Sequence, residues 1–380
     1  MQIEKNNTCV IRSVEIYNAN NFIKNADIYI ENGVIKKIVE VEGVSKKRAV
    51  PGFIDTHIHG FFNFDVSEGV KAIEIIAKKL SFFGTTSFIP TIMTDDFEKM
   101  KKSLEEIYEA KMCNFLGAKI LGSHTEGPFI GKAKRGAHDE KYLLKTSKPK
   151  IKHLIKSSNE TLLKISLDPD QTNFSDIDFM IENNIQPSIG HTNCTYETAI
   201  KMFDNKVKSV CHLWNAMSGF DSRRPGLLQA TFMHKNVYAE MILDLIHICE
   251  QSVKFTIDNL GIDYIIGVSD AIKPAYSQDG ENVSGGFKVV KKGSLITIKD
   301  TETIAGSAIS LLNAFENMIK IGYSMHDAVK VTSYNAAKFL KRNDIGVIKV
   351  GAKADIVLFN KTNFEIFSTY VEGVEIKRGI

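Results

Sequence analysis

Apolar and alternating stretches recur along the chain at strand length, and most of the intervals between them carry helical stripes. Eight strand-like segments stand out: Ala49–Gly60, Thr85–Met93, Lys119–Glu126, Leu163–Pro169, Gln186–Thr192, Ser209–Met217, Tyr238–Ile248 and Tyr264–Ala271. The clearest helical stripe is Phe97, Met100, Leu104 and Ile107, spaced to pack one face on a sheet. Val70, Ile73, Ala77 and Leu80 make another. Eight strands alternating with helices predict an α/β fold, a TIM-like (β/α)8 barrel. A doubly wound open sheet is the competing arrangement, but no G-x-G-x-x-G follows the first strand and the sequence contains no P-loop.

Both ends of the chain read differently from the middle. Ala26 to Ile30 and Val34 to Val39 flank Asn32-Gly33, a hairpin signal. Ala354 to Phe359 and Val371 to Ile376 are apolar or alternating segments separated by polar turns. The termini are therefore expected to meet in one small β-sandwich domain, residues 1–50 with 345–380, around a barrel of residues 51–344. No internal repeat or low-complexity linker interrupts this pattern.

Composition narrows the class. The chain is 43% hydrophobic and 24% charged, enough to build a large core. Its 48 basic and 45 acidic residues nearly balance, which argues against a nucleic-acid partner held by phosphate neutralisation. The lysine clusters Lys101-Lys102 and Lys132–Lys134 read as solvated surface. Cys9, Cys113, Cys194, Cys211 and Cys249 have neither disulfide nor zinc-ribbon spacing. The opening Met1–Asn7 lacks the apolar core of a signal peptide, and no apolar run has membrane-spanning length. A reduced, cytoplasmic location and no membrane partner are the expectations.

The chemistry lies at the strand ends. In the run from Phe53 to Gly60, residues two apart share a face, so Asp55, His57 and His59 should project together. The third strand ends in His124-Thr125-Glu126 and the fifth in His191. The sixth carries His212, the seventh Asp244 and His247, and the eighth ends at Asp270. Active sites of such barrels lie at the C-terminal strand ends. A rim of histidines and carboxylates suits a divalent ion such as zinc or iron. Such an ion brings the pKa of a bound water to about 7, and Asp270 could take that water's proton and later give it to a leaving amine.

Several ordered motifs then resemble one family across essentially the whole chain. They are Pro51–Asp55 through His59-Gly60, His124–Ile130, Gly136-Ala137-His138, Gly190-His191, His212–Met217, Arg223–Gly226, Asp244–His247, Ser269–Ala271 and Ile304–Ser307. The chain resembles the N-acetylglucosamine-6-phosphate deacetylase family of the amidohydrolase superfamily. The resemblance implies that Glu126, His191 and His212 are the principal metal ligands. It matches His57 and His59 to the further site of two-metal members, so one or two ions per subunit are implied. It makes Asp270 the acid/base and has His138 hold the acetamide carbonyl. It matches Ala137, Asn215, Ala216, Arg223, His247, Ile304, Ala305 and Gly306 to substrate contacts, with Arg223 chiefly at the phosphate. It also implies a homodimer in which an arginine and a histidine reach the neighbouring subunit's pocket.

Departures from the family pattern stand at Thr125, Arg224 and Leu245, the last where glycine is common. His124 is read as support for the Glu126 strand, and Asp55 as a support or a ligand. Trp214 either shapes the pocket or packs beside it. His153, His234 and His326 receive no role. The activity implied is metal-dependent hydrolysis of N-acetyl-D-glucosamine 6-phosphate to D-glucosamine 6-phosphate and acetate, in amino-sugar salvage and cell-wall recycling. The galacto epimer is an alternative substrate, and a catalytically inactive binding subunit is an alternative of another class.

Overall fold

The computed structural model describes residues 8–376. Met1–Asn7, and the outer parts of the expected small domain at 1–7 and 377–380, lie outside the described residues.

Eight parallel strands form the barrel: β1 (Phe53–Ile58), β2 (Thr85–Met93), β3 (Ser123–Glu126), β4 (Leu162–Leu167), β5 (Gln186–Ile189), β6 (Ser209–Val210), β7 (Tyr238–Ile242) and β8 (Ile265–Val268). They pair in chain order. Their runs are apolar because both faces are covered, by the barrel interior and by the helices outside. The barrel closes just beyond β8. Asp270 N–H donates to the His57 carbonyl at 2.9 Å, and His59 N–H donates to the Ala271 carbonyl at 2.9 Å. The seam is thus made of site residues.

The helical stripes hold. In α1 (Val70–Ser81), Ile73, Ala77 and Leu80 are fully buried; in α2 (Phe97–Met112), Met100, Leu104 and Ile107 are. Each of the larger side chains, Ile73, Leu80, Met100, Leu104 and Ile107, contributes roughly 1.5–3 kcal/mol by leaving water. Asp96 caps α2 by accepting from the Glu98 and Lys99 amides, which fixes its start.

Four strand readings need correction, and one of them, Lys119–Glu126, is interrupted at Leu121-Gly122 into Lys119–Ile120 and Ser123–Glu126. Ala49–Gly60 is not one strand: Lys47–Pro51 belongs to the terminal sheet, and the barrel begins at Phe53. Gly52 is the crossing point, where a Cβ would stand 2.1 Å from Thr86 Oγ1, so only glycine passes. Ser209–Met217 and Tyr238–Ile248 leave the ladder at Val210 and Ile242. His212, Trp214, Ala216 and Leu245 have φ of 27°, 85°, 51° and 62°, and that backbone cannot continue a strand. A three-stranded sheet, Gly280–Ser284, Phe287–Lys292 and Leu295–Ile298, follows β8 and was not foreseen.

The termini do meet. One seven-stranded mixed sheet runs from Val374–Ile376 through Ile366–Val371, Ile356–Asn360, Lys47–Pro51, Thr8–Tyr17 and Phe22–Glu31 to Val34–Glu40. It rolls over its own core of Ile11, Val14, Ile16, Ile28, Ile30, Ile35, Ile356 and Leu358. The Asn32-Gly33 turn is present and reaches the residues leading into Ile356–Asn360, where Ala354 N–H donates to the Gly33 carbonyl at 2.8 Å. No helix among the described residues is long and apolar enough to cross a membrane.

Asp355 sits buried at the junction of sheet and barrel. Its Oδ1 accepts the Glu372 amide at 2.7 Å and its Oδ2 has no hydrogen-bond partner. Burial pushes its pKa up to about 7. The folded chain therefore keeps this proton to a higher pH than the unfolded chain, where an aspartate titrates near about 4. Stability contributed by the neutral form is fully present below about 4 and is lost as pH rises toward 7, by on the order of 2–4 kcal/mol. Asp355→Asn should accordingly melt above the wild type at pH 8.5 and beside it at pH 4.5. Parallel melting-temperature curves across that range would remove Asp355 as the cause.

Candidate active site

At the barrel's C-terminal rim four imidazoles and two carboxylates converge. Glu126 Oε1 lies 3.0 Å from His191 Nε2 and 2.9 Å from His212 Nε2, and these two nitrogens are 3.0 Å apart. Glu126 Oε2 lies 3.2 Å from His59 Nε2. His57 Nε2 and His59 Nε2 are 3.1 Å apart, and Asp270 Oδ1 lies 3.1 Å from the latter. All six side chains are buried. Every predicted ligand is brought together. His191, His212 and Asp270 hold φ of 48°, 27° and 47°, strained backbone of the kind that collects at functional rims.

The far ring nitrogens fix the tautomers. His59 Nδ1 lies 2.9 Å from the Thr91 carbonyl and His191 Nδ1 lies 2.9 Å from the Lys134 carbonyl. A carbonyl only accepts, so each Nδ1 carries a proton, and in the neutral ring each Nε2 is a bare lone pair free to meet a cation. Bare nitrogens facing one another and two carboxylates at about 3 Å repel unless a cation stands between them. Protons or metal ions can meet that demand. Burial opposes charge on His59, but Asp270 and Glu126 outweigh it and push its pKa up to about 9. Burial likewise opposes ionisation of Asp270, but His57 and His59 hold it at about 2. Glu126 is held well below the carboxylate range by His57, His191 and His138, against burial. Three triads have ligand spacing, Glu126–His191–His212, His57–His59–Asp270 and His57–Glu126–Cys211; the first two, built of nitrogen and oxygen donors, fit a divalent ion.

His138 is sorted the other way. The Thr94 amide donates to its Nδ1 at 3.3 Å, so Nε2 carries the proton and points 3.3 Å from Glu126 Oε2. Burial lowers its pKa to about 4, so the ring stays neutral. It offers this site an N–H where the ligand histidines offer lone pairs.

A cavity of about 320 Å³ opens over these groups. Ala137, His138, Asn215, Ala216, His247, Ile304, Ala305 and Gly306 all line it. His247 is held by Asp244, whose Oδ2 lies 2.6 Å from its Nδ1. Arg223 does not line it. It is exposed in a turn where its amide donates to Asp221 Oδ1 at 2.8 Å, so this chain does not bring it to its own pocket. Lys134, read as solvated surface, does line the cavity, because its carbonyl is pinned to His191.

The remaining readings resolve by contact. Asp55 belongs to none of the ligand triads and accepts the Ser269 amide at 3.2 Å, bracing β8 on β1. His124 bridges Thr91 Oγ1 at 3.0 Å and Ser166 Oγ at 2.8 Å, supporting its strand. Trp214 donates to Thr256 Oγ1 at 2.8 Å and packs with Phe220, Phe232 and Phe255 beside the cavity. Leu245, at φ 62°, occupies backbone that glycine would enter without strain. The sequence reading missed Lys164 and Glu240, an ion pair inside the barrel beneath His57. Their signal was a charge in each of two apolar strands, Leu162-Leu163-Lys164-Ile165 and Ala239-Glu240-Met241-Ile242.

Known proteins resemble the chain over its whole length. It is 29% identical over 365 residues to an N-acetylglucosamine-6-phosphate deacetylase of Lysinibacillus sphaericus, covering 93% of this chain and 94% of that one. It is also 29% identical over 353 residues to an N-acetylgalactosamine-6-phosphate deacetylase of Shewanella sp. (strain ANA-3), covering 89% and 88%. The crystal structure of an N-acetylglucosamine-6-phosphate deacetylase from Thermotoga maritima superposes with a TM-score of 0.91 at 28% identity, covering 98% of this chain and 100% of that one. The Amidohydrolase family profile matches residues 48–376, which takes in the whole barrel and every residue of the rim, and the chain belongs to that family.

Proposed function

We propose that the chain hydrolyses the acetamide of an N-acetylated amino-sugar phosphate, N-acetyl-D-glucosamine 6-phosphate foremost, giving D-glucosamine 6-phosphate and acetate. The observation that carries this reading is the sorting of ring nitrogens in one cavity: His59 and His191 hold Nδ1 on backbone carbonyls and turn Nε2 to two carboxylates, whereas His138 accepts at Nδ1 and turns an Nε2–H to the same space. Glu126, His191 and His212 would hold one divalent ion, zinc or iron by donor type, and His57, His59 and Asp270 a second. When bound, such an ion acidifies water and polarises a carbonyl.

The chain's own groups do the rest. His138 Nε2–H donates to the acetamide oxygen, where negative charge grows in the transition state. Asp270, ionised, takes the proton of the attacking water and returns it to the departing amine. His247 and Asn215 offer hydrogen bonds to the sugar phosphate. The Ile304–Gly306 segment closes one wall. Exposed Arg223 would serve the phosphate of a neighbouring subunit, which makes the working form a homodimer. A cytoplasmic, reducing compartment suits an enzyme whose cysteines pair with nothing.

The galacto epimer stays as a second reading because the Shewanella relative that carries that name matches at the same 29% identity.

Acetate release from the two epimeric phosphates and from unphosphorylated N-acetylglucosamine, on metal-analysed protein, tests the reading. Turnover should be fastest with the gluco phosphate and weakest without phosphate; a fully metallated protein that releases no acetate from any of them would sink it. Asp270→Asn should keep its fold and lose about 10²–10⁴ in turnover. Near-normal rates would end the acid/base role. Arg223→Ala should raise KM for the phosphorylated sugar by about 10–100-fold with kcat little changed, the loss of a charge-assisted contact. Equal losses with and without phosphate would contradict the assignment.

A further inference from the structure

Beneath the rim, inside the barrel, Lys164 of β4 and Glu240 of β7 form a fully buried ion pair. Lys164 Nζ also donates to the Thr56 carbonyl at 3.1 Å, and Thr56 Oγ1 donates to Glu240 Oε1 at 2.9 Å. Both clamps therefore engage Oε1. Glu240 Oε2 makes no hydrogen bond and lies 3.6 Å from His57 Nδ1, a gap that a small ring rotation closes.

This matters because His57 lacks what fixes its neighbours. His59 and His191 each hold Nδ1 on a backbone carbonyl. Around His57 Nδ1 the acceptors are Glu240 Oε2 and Cys211 Sγ, the latter at 3.5 Å and already accepting the Ser166 hydroxyl at 3.3 Å. A carboxylate is the stronger acceptor, and an imidazole with a carboxylate behind it is the better-oriented ligand.

We propose that Glu240, clamped by Lys164 and Thr56, is the positioning residue that keeps the proton on His57 Nδ1 and so aims a bare Nε2 at the His57–His59–Asp270 position. By this assignment the buried pair sets occupancy of the second cation position and leaves the Glu126–His191–His212 position alone. The inference rests on the metal-site reading above, not on which sugar is the substrate.

A buried ion pair that is only structural can be replaced by apolar residues of similar size with little loss, whereas removing one partner strands a charge. The test therefore uses the pair Lys164→Met/Glu240→Leu in the full chain. Metal-stripped protein is titrated with zinc by calorimetry, and bound zinc is counted after dialysis. Wild type should bind two zinc ions per chain. The double variant should melt close to wild type, keep one zinc, and bind the second about 10–100-fold more weakly, the usual cost of losing a partner behind a ligand. Lys164→Met/Glu240→Gln, whose amide oxygen can still accept from Nδ1, should recover much of that affinity, and Cys211→Ala should retain both ions.

Unchanged binding of both ions by Lys164→Met/Glu240→Leu would overturn the proposal, as would loss of the second ion in Cys211→Ala instead. A wild type that binds a single zinc would also overturn it, while acetate release would still decide the deacetylase reading separately. If the apolar pair does not fold, a crystal structure of zinc-loaded wild type answers the same question. His57 Nδ1 moved from its 3.5 Å contact with Cys211 Sγ onto Glu240 Oε2 supports the proposal, and a ring that keeps the Cys211 contact with Glu240 Oε2 still unbonded ends it.

Discussion

The rest of the site depends on where the protons sit on its histidine rings. Two backbone carbonyls, those of Thr91 and Lys134, take the Nδ1 protons of His59 and His191 and leave lone pairs facing Glu126 and Asp270. Buried lone pairs and carboxylates about 3 Å apart are tolerable only around positive charge. The Thr94 amide imposes the opposite tautomer on His138 and turns its Nε2 into a donor. The chemistry is thus written by main-chain groups that the barrel holds rigidly.

That rigidity comes from the closure of the fold. The seam between β8 and β1 is made by Asp270, Ala271, His57 and His59, so closing the barrel sets the spacing of three functional positions, Asp270, His57 and His59, at once. Asp55 braces the same seam from within. The terminal sheet rolls shut over its own core and joins the barrel through Gly52, where no larger residue passes Thr86. At the rim β5, β6 and β8 give way to the left-handed residues His191, His212 and Asp270.

Much of this was legible because two kinds of pattern are local. Strand runs and helix stripes reported burial, and strand-end histidines and carboxylates reported the rim. What escaped depends on the third dimension. Val210 and Ile242 end their strands although the apolar pattern continues, because the backbone beyond them turns left-handed. Lys134 looked like surface since nothing local says that its carbonyl meets a histidine 57 residues away. Lys164 and Glu240 lie 76 residues apart and make sense only as partners. Arg223, matched to a substrate contact by resemblance alone, stands exposed and outside this chain's own cavity.

Anomalous X-ray scattering at the zinc and iron edges from crystals of the purified protein tests the central claim most directly. A peak bonded to Glu126, His191 Nε2 and His212 Nε2, with His59 and His191 keeping their Nδ1 contacts to the Thr91 and Lys134 carbonyls, is the predicted result. Crystals grown with saturating zinc that show no peak there, or rings flipped so that Nδ1 faces the cluster, would contradict the account.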